Sequence, residues 1–245
     1  MKGILKYILV LLFSPSFSQT IHLGANYSIN STYLLNKNVT FSGDDSTYIH
    51  SVGQGVGLSG AFYFAHGGYY HSRIYGIKTE LNLSSHNQNY KVYPGIGLAK
   101  PDSFYSFKTS LRYTDIPVLF SFCPNHHQGL VFELGPQISI LRKTIISAED
   151  SKPSSSNYEK FIPPEDIKNY NKVMYSAILG MGLFYNVTEK FAVAGVFRIA
   201  AGLSDVMKRN PSDMKYSPSN RFAFGLNVQA FYKFNSYFAK KNKGL

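Results

Sequence analysis

The chain has no tryptophan and a single cysteine, Cys123. One cysteine excludes an internal disulfide. Beside Pro124, Cys123 reads as an inert turn residue. No segment beyond the N-terminus approaches the ~18 consecutive apolar residues of a membrane-spanning helix. Acidic residues are scarce, 14 against 25 lysines and arginines. A basic balance is one mark of nucleic-acid binding. Here the charges are scattered, with no helix-turn-helix or RNP-like pattern, so no nucleic acid is expected. No Gly-x-Ser-x-Gly elbow occurs, which removes the most specific hydrolase signal.

What the chain does have is a hydrophobic alternation of period two, recurring about eight times. Phe222, Phe224, Leu226, Val228, Ala230, Tyr232 and Phe234 alternate with Ala223, Gly225, Asn227, Gln229 and Lys233, and only Phe231 breaks the set. Alternate side chains of a strand face opposite ways, so one face is apolar and the other small or wet. Val52, Val56, Leu58, Phe62 and Phe64 form such a face, as do Tyr75, Ile77, Leu81 and Leu83, and Phe191, Val193, Phe197, Ile199 and Leu203. Eight strands are predicted, near 21–34, 50–65, 72–85, 106–122, 129–143, 172–186, 190–203 and 221–234. In the fourth, Leu111 and Tyr113 are out of step with Ile116, Val118, Phe120 and Phe122. A one-residue bulge near Asp115–Pro117 would restore one apolar face.

Residues 1–18 read as a secretory signal: Lys2 and Lys6, then the short apolar run Tyr7 to Phe13, then Ser16-Phe17-Ser18 before a cleavage point at Gln19. No lipoprotein cysteine stands at that point. Without Lys2 and Lys6 the mature chain keeps 23 basic against 14 acidic residues, a net +9. Residues 66–71, 123–128 and 187–189 are short connections, and 35–49, 86–105, 144–171 and 204–220 are long ones. Export, tyrosine- and phenylalanine-rich alternation, and short turns opposite long loops together predict an all-β fold. It is an eight-stranded antiparallel transmembrane β-barrel over 19–234, in the outer membrane of a Gram-negative bacterium, with both termini periplasmic. A soluble lipocalin-like barrel would share the strands and the signal. It would leave Tyr175, Leu179, Met181, Leu183 and Tyr185 in water. Residues 235–245, with Lys240, Lys241 and Lys243, form a basic tail that either contacts inner-leaflet phosphates or a periplasmic partner, or hangs free.

By parity Lys78, Glu80, Glu133 and Arg198 point into the lumen, and Asp115 joins them after the bulge. Unpaired charge there is costly, so a closed polar network is expected. The alternative use of the same residues is a proton or ion path. Lys108, Arg112, Arg142, Lys143, Lys172 and Arg221 fall at the outer strand ends. They read as a collar for lipid head groups, meeting the phosphates of lipopolysaccharide or snorkelling at the membrane edge. The third long connection holds Pro153, Pro163, Pro164 and the apolar pair Phe161-Ile162. It is the expected partner-binding loop. No metal or cofactor is expected. His126-His127 beside Cys123 lack a fourth ligand, and Ser85, His86 and Asp102 are the best hydrolytic set the chain offers.

Lys78-Thr-Glu80-Leu, Tyr113-Thr-Asp-Ile-Pro117-Val-Leu-Phe, Leu134-Gly-Pro136-Gln-Ile and Gly202-Leu-Ser-Asp205, followed by a closing aromatic strand, resemble the PorT-type outer-membrane β-barrel family common in Bacteroidota. The resemblance spans nearly the whole mature chain. It implies the barrel fold. One founding member is tied to protein secretion and surface motility, so the resemblance also implies accessory work in a secretion or assembly complex as one role. The other expectations are a structural or interaction role through loops or wall, a narrow channel, and, least favoured by the residues, a lipid-modifying enzyme.

Overall fold

A computed structural model describes residues 18–36, 46–66, 73–92, 105–123, 128–148, 167–208 and 219–235. Residues 1–17, where the signal is expected, the pair Phe161-Ile162, His126-His127 and residues 236–245 lie outside the described residues.

Eight strands follow one another: β1 (Ser18–Asn36), β2 (Ser46–His66), β3 (Arg73–Val92), β4 (Tyr105–Cys123), β5 (Gln128–Ala148), β6 (Val173–Asn186), β7 (Phe191–Asp205) and β8 (Ser219–Asn235). Each pairs antiparallel with the next, and β8 pairs with β1, so the sheet closes into a meander barrel with no free edge. The start of β1 and the end of β8 lie at the same end as the short turns, here the inner end; the long connections define the outer end. Alternation decides which face goes where. Leu58, Ile77, Leu134, Leu179, Leu183 and Leu226 are all half or more exposed on the outer wall. Between Tyr175 and Tyr185, ten residues at ~3.3 Å and a tilt near 40° give an apolar belt roughly 25 Å tall.

The fourth strand corrects the sequence reading. It has no bulge at Asp115–Pro117, and its pairing with β3 keeps one register throughout. Thr109, Leu111, Tyr113, Asp115, Leu119, Ser121 and Cys123 all face inward. Leu111 and Tyr113 are therefore interior residues, fully buried, and the change of phase is only a change from an apolar to a polar lining. A register shift does occur here, on the neighbouring strand. Arg112 pairs Lys143 and Tyr113 pairs Leu141, which leaves Arg142 as the extra residue of β5. The prolines act differently. The β3–β4 pairs skip from Thr79–Val118 to Asn82–Asp115, and the β4–β5 pairs skip from Pro117–Gln137 to Phe120–Leu134. Pro117 and Pro136 lack the donors those rungs need.

Three strands run further out than the alternation reaches. β2 begins at Ser46, β3 continues to Val92 and β5 to Ala148. Past Leu83 the chain reads Ser-Ser-His-Asn-Gln-Asn, polar on both faces, so hydropathy loses its period while the neighbours still supply backbone partners.

Candidate functional site

The inward faces stack into four layers. At the inner end Tyr63, Ile74, Val131, Phe184, Val196 and Phe231 form a buried apolar cluster. His22 lies against its rings, 4.7 Å from Tyr63 and 5.9 Å from Phe231 between centroids. Phe231, the one break in the alternation of β8, is thus a stopper.

The next layer is charged. Lys78 and Glu80 come from β3, Glu133 from β5 and Arg198 from β7, and all four are buried. Arg198 holds Glu80 with two parallel bonds, Nη1 to Oε2 at 2.9 Å and Nη2 to Oε1 at 2.6 Å. Its Nε donates to Glu133 Oε2 at 2.8 Å. Lys78 Nζ donates to Glu133 Oε1 and, at 2.9 Å, to Gln229 Oε1; it lies 3.5 Å from Glu80. Asn82 donates to Glu80, and Gln229 donates to Asn227. Two bases and two acids cancel, and the neutral amides take up the remaining bonding capacity.

Gly180 lies directly against the quartet. That residue sits across the ladder from both Glu133 and Arg198. A Cβ there would lie 3.0 Å from Val196 Cγ1, 3.2 Å from Arg198 Cγ and 3.3 Å from Glu133 Cβ. Gly180→Ala is expected to cost about 1–3 kcal/mol through overpacking. The measurement is the urea midpoint of the barrel refolded in detergent, and an unchanged midpoint would mean that these side chains have room to part.

The third layer is a polar cavity of ≈ 70 Å³, lined by Ser28, Asn30, Ser84, His86, Asp115 and Arg221 among others. Asp115 faces the lumen without the bulge and sits apart from the quartet. It accepts from Ser84 Oγ at 2.5 Å and lies 3.4 Å from Arg221 Nη1. Arg221 is the second correction. Read as a collar residue, it is buried inside the barrel, with Nη2 donating to Ser139 Oγ at 2.7 Å and its guanidinium 4.7 Å above the Tyr113 ring. Odd positions of β8 face inward, so Arg221 follows Ala223 and Asn227 into the lumen.

The fourth layer closes the outer end. Leu34, Leu111, Tyr113, Leu141, Tyr170, Met174 and Val206 form a second buried apolar cluster. The segment that brings Tyr170 over the mouth is a single 3-10 turn, Ile167–Asn169. It is tied down by Asn171, whose side chain donates to the carbonyls of Asp205 and Met207 at 2.9 and 3.1 Å. No periodic signal marks Tyr170 or Val206, and the sequence reading missed both.

The remaining basic residues stay outside. Arg112, Arg142, Lys143 and Lys172 are exposed, and Lys108 is half-buried. They do not form a ring: all five lie on β4, on β5 or at the entry to β6.

No family model matches the chain, and no curated protein does. Solved structures similar to it include the outer membrane protein OprG from Pseudomonas aeruginosa, at 11% identity over 89% of this chain and 97% of that one, TM-score 0.45. Another is Ail, the attachment invasion locus protein of Yersinia pestis, in complex with the heparin analogue sucrose octasulfate, at 14% identity over 89% and 99%, TM-score 0.37. A third is Neisserial surface protein A, at 12% identity over 87% and 97%, TM-score 0.31. At these scores the likeness adds nothing to the architecture that the strand pairing itself shows.

Among the described residues no three His, Cys, Asp or Glu side chains gather as metal ligands. Ser85 Oγ meets the backbone of Gln54, and His86 Nε2 meets the carbonyl of Tyr33 at 2.9 Å. Asp102 lies outside the described residues.

Proposed function

We propose that this chain is a small outer-membrane barrel of a Gram-negative bacterium that works by interaction at its wall and loops, with its termini in the periplasm. The observation that carries the reading is the filled interior. Charges in the middle of the lumen are matched, an apolar cluster fills the inner end, and a second apolar cluster stands at the outer end beside buried Asn87, Gln88 and Thr109. Ion passage would require water to cross the matched charges and the apolar cluster at the inner end. The outer wall supports the membrane setting, since its exposed leucines would otherwise form an apolar patch far beyond what a soluble monomer carries. A catalytic role is not part of this reading.

Under this reading the wild-type protein gives no steady conductance in planar bilayers. Persistent current steps from purified barrel would overturn it in favour of a channel. Purification from native membranes in mild detergent, with mass spectrometry of bound proteins, tests the interaction role. A barrel that comes out free of any partner under several detergents would argue against it.

The second reading is accessory work in a secretion or assembly complex, through membership of the PorT-type family. The segments that carry that resemblance build the barrel: Lys78 and Glu80 join the quartet, Tyr113 closes the outer end, and Pro117 and Pro136 interrupt the ladder. They support a shared architecture and leave the role to the loops.

A further inference from the structure

The β5 bulge sets three cations side by side on the outer wall. Arg112 and Lys143 are direct partners across the β4–β5 ladder, and Arg142 is the extra residue next to them. Direct cross-strand partners stand ~4.5–5.5 Å apart at Cβ, and like charges placed so repel. All three side chains are exposed. The ion pairs among the described residues all lie inside the lumen, so no described carboxylate relieves these three. Exposed Lys172 continues the patch: its carbonyl accepts the Leu141 amide at 2.8 Å, one residue from Arg142. A bulge is a device that re-aims side chains, and here its product is a concentration of like charge.

The height of the patch is defined by its neighbours. On β4 the outward row runs Phe122, Phe120, Val118, Ile116, Thr114 and then Arg112; on β5 Leu134 and Ile138 precede Arg142 and Lys143. The cations therefore stand at the outer border of the apolar belt. A ligand that relieves them needs two or more negative charges at the border and an apolar body alongside the belt. Arginine supplies a donor fork matched to phosphate oxygens, and lysine a point charge.

We propose that Arg112, Arg142, Lys143 and Lys172 form a binding site for the phosphates of a glycolipid of lipid A type, whose acyl chains lie along β4–β6. The proposal rests on the outer-membrane reading above and specifies the lipid partner of the wall. Ordinary snorkelling would place the same cations at the same depth with no preference among head groups, so selectivity decides between the two.

The test uses the full mature chain in detergent, titrated with bis-phosphorylated lipid A, with its enzymatically dephosphorylated form and with inorganic pyrophosphate, and read by native mass spectrometry. The expected result is binding of the phosphorylated lipid roughly thirtyfold tighter than the dephosphorylated one, about fivefold for each of two neutralised cations. The preference should shrink as salt rises. A variant carrying Arg112→Gln, Arg142→Gln and Lys143→Gln should lose it, while Lys190→Gln, at the opposite end of the barrel, should keep it. Equal binding of the two lipids by wild type overturns the proposal without recourse to any variant. Retention of the preference by the triple variant overturns it as well. Pyrophosphate competing as strongly as the lipid would assign the patch to free phosphates and remove the lipid from it. Membrane fractionation separates this failure from that of the underlying reading: a chain found in the outer membrane but indifferent to phosphate loses only this site.

Discussion

Arg198→Met should destabilise the barrel by about 3–5 kcal/mol, because it leaves Lys78 alone against two buried carboxylates. Arg198 is the only residue of the four with short bonds to both acids: a fork on Glu80 and a 2.8 Å bond from Nε to Glu133. Pairing Arg198→Met with Glu80→Gln removes one charge of each sign and returns the layer to neutrality, with Lys78 on Glu133. The double variant should therefore unfold at a higher urea concentration than the single one. A single variant as stable as wild type, or a double variant weaker than the single, would contradict a closed neutral network.

Leu179→Arg carries the second large effect, about 2–4 kcal/mol if the wall faces hydrocarbon. Leu179 lies midway along β6 and is 59% exposed. Its exposure makes the test sharp. In water an exposed leucine with few neighbours tolerates arginine to within about 0.5 kcal/mol. In a bilayer the cost is large at the midplane and falls to roughly 0–1 kcal/mol near the border. Leu203, at 71% exposure near the outer end of β7, supplies the border case. Folding yield into liposomes and the urea midpoint should both fall for Leu179→Arg and scarcely move for Leu203→Arg. Equal, small effects at the two positions would make the barrel a water-facing one.

Lys78 and Glu80 are legible in the sequence because they stand among small or polar residues on a strand whose other face is plainly apolar. Lys78 between Gly76 and Glu80, opposite Ile77 and Leu81, leaves no choice of side. The fourth strand misleads for a definite reason. Near each end of the lumen the inward row turns apolar, so hydrophobicity no longer distinguishes lipid from interior. Leu111 and Tyr113 therefore resemble wall residues out of step with Val118 and Phe120, although no bulge separates them. Strict parity from Cys123 back to Thr109 places them correctly. The same rule, run from Gln229 to Arg221, puts that arginine inside, where Ser139 and Asp115 meet it. The bulge on β5 had no such signal, since Arg142 and Lys143 are both polar and both exposed. Tyr170 and Val206 close the mouth from outside any alternating segment, where no period exists to read.

The unequal strand lengths give the molecule a front and a back. β2 to β5 run 19 to 21 residues, while β6 and β7 run 14 and 15. From Thr144 to Ala148 alone, β5 stands roughly 15 Å of paired strand beyond the level where β6 begins. Among the described residues the outer rim is a slope, with a palisade of paired strand on one flank and Tyr170 low on the other. Rotation about the barrel axis then ceases to be neutral. A partner seated against the palisade fixes the compass bearing of the whole barrel, and with it which neighbours in the plane each strand can face.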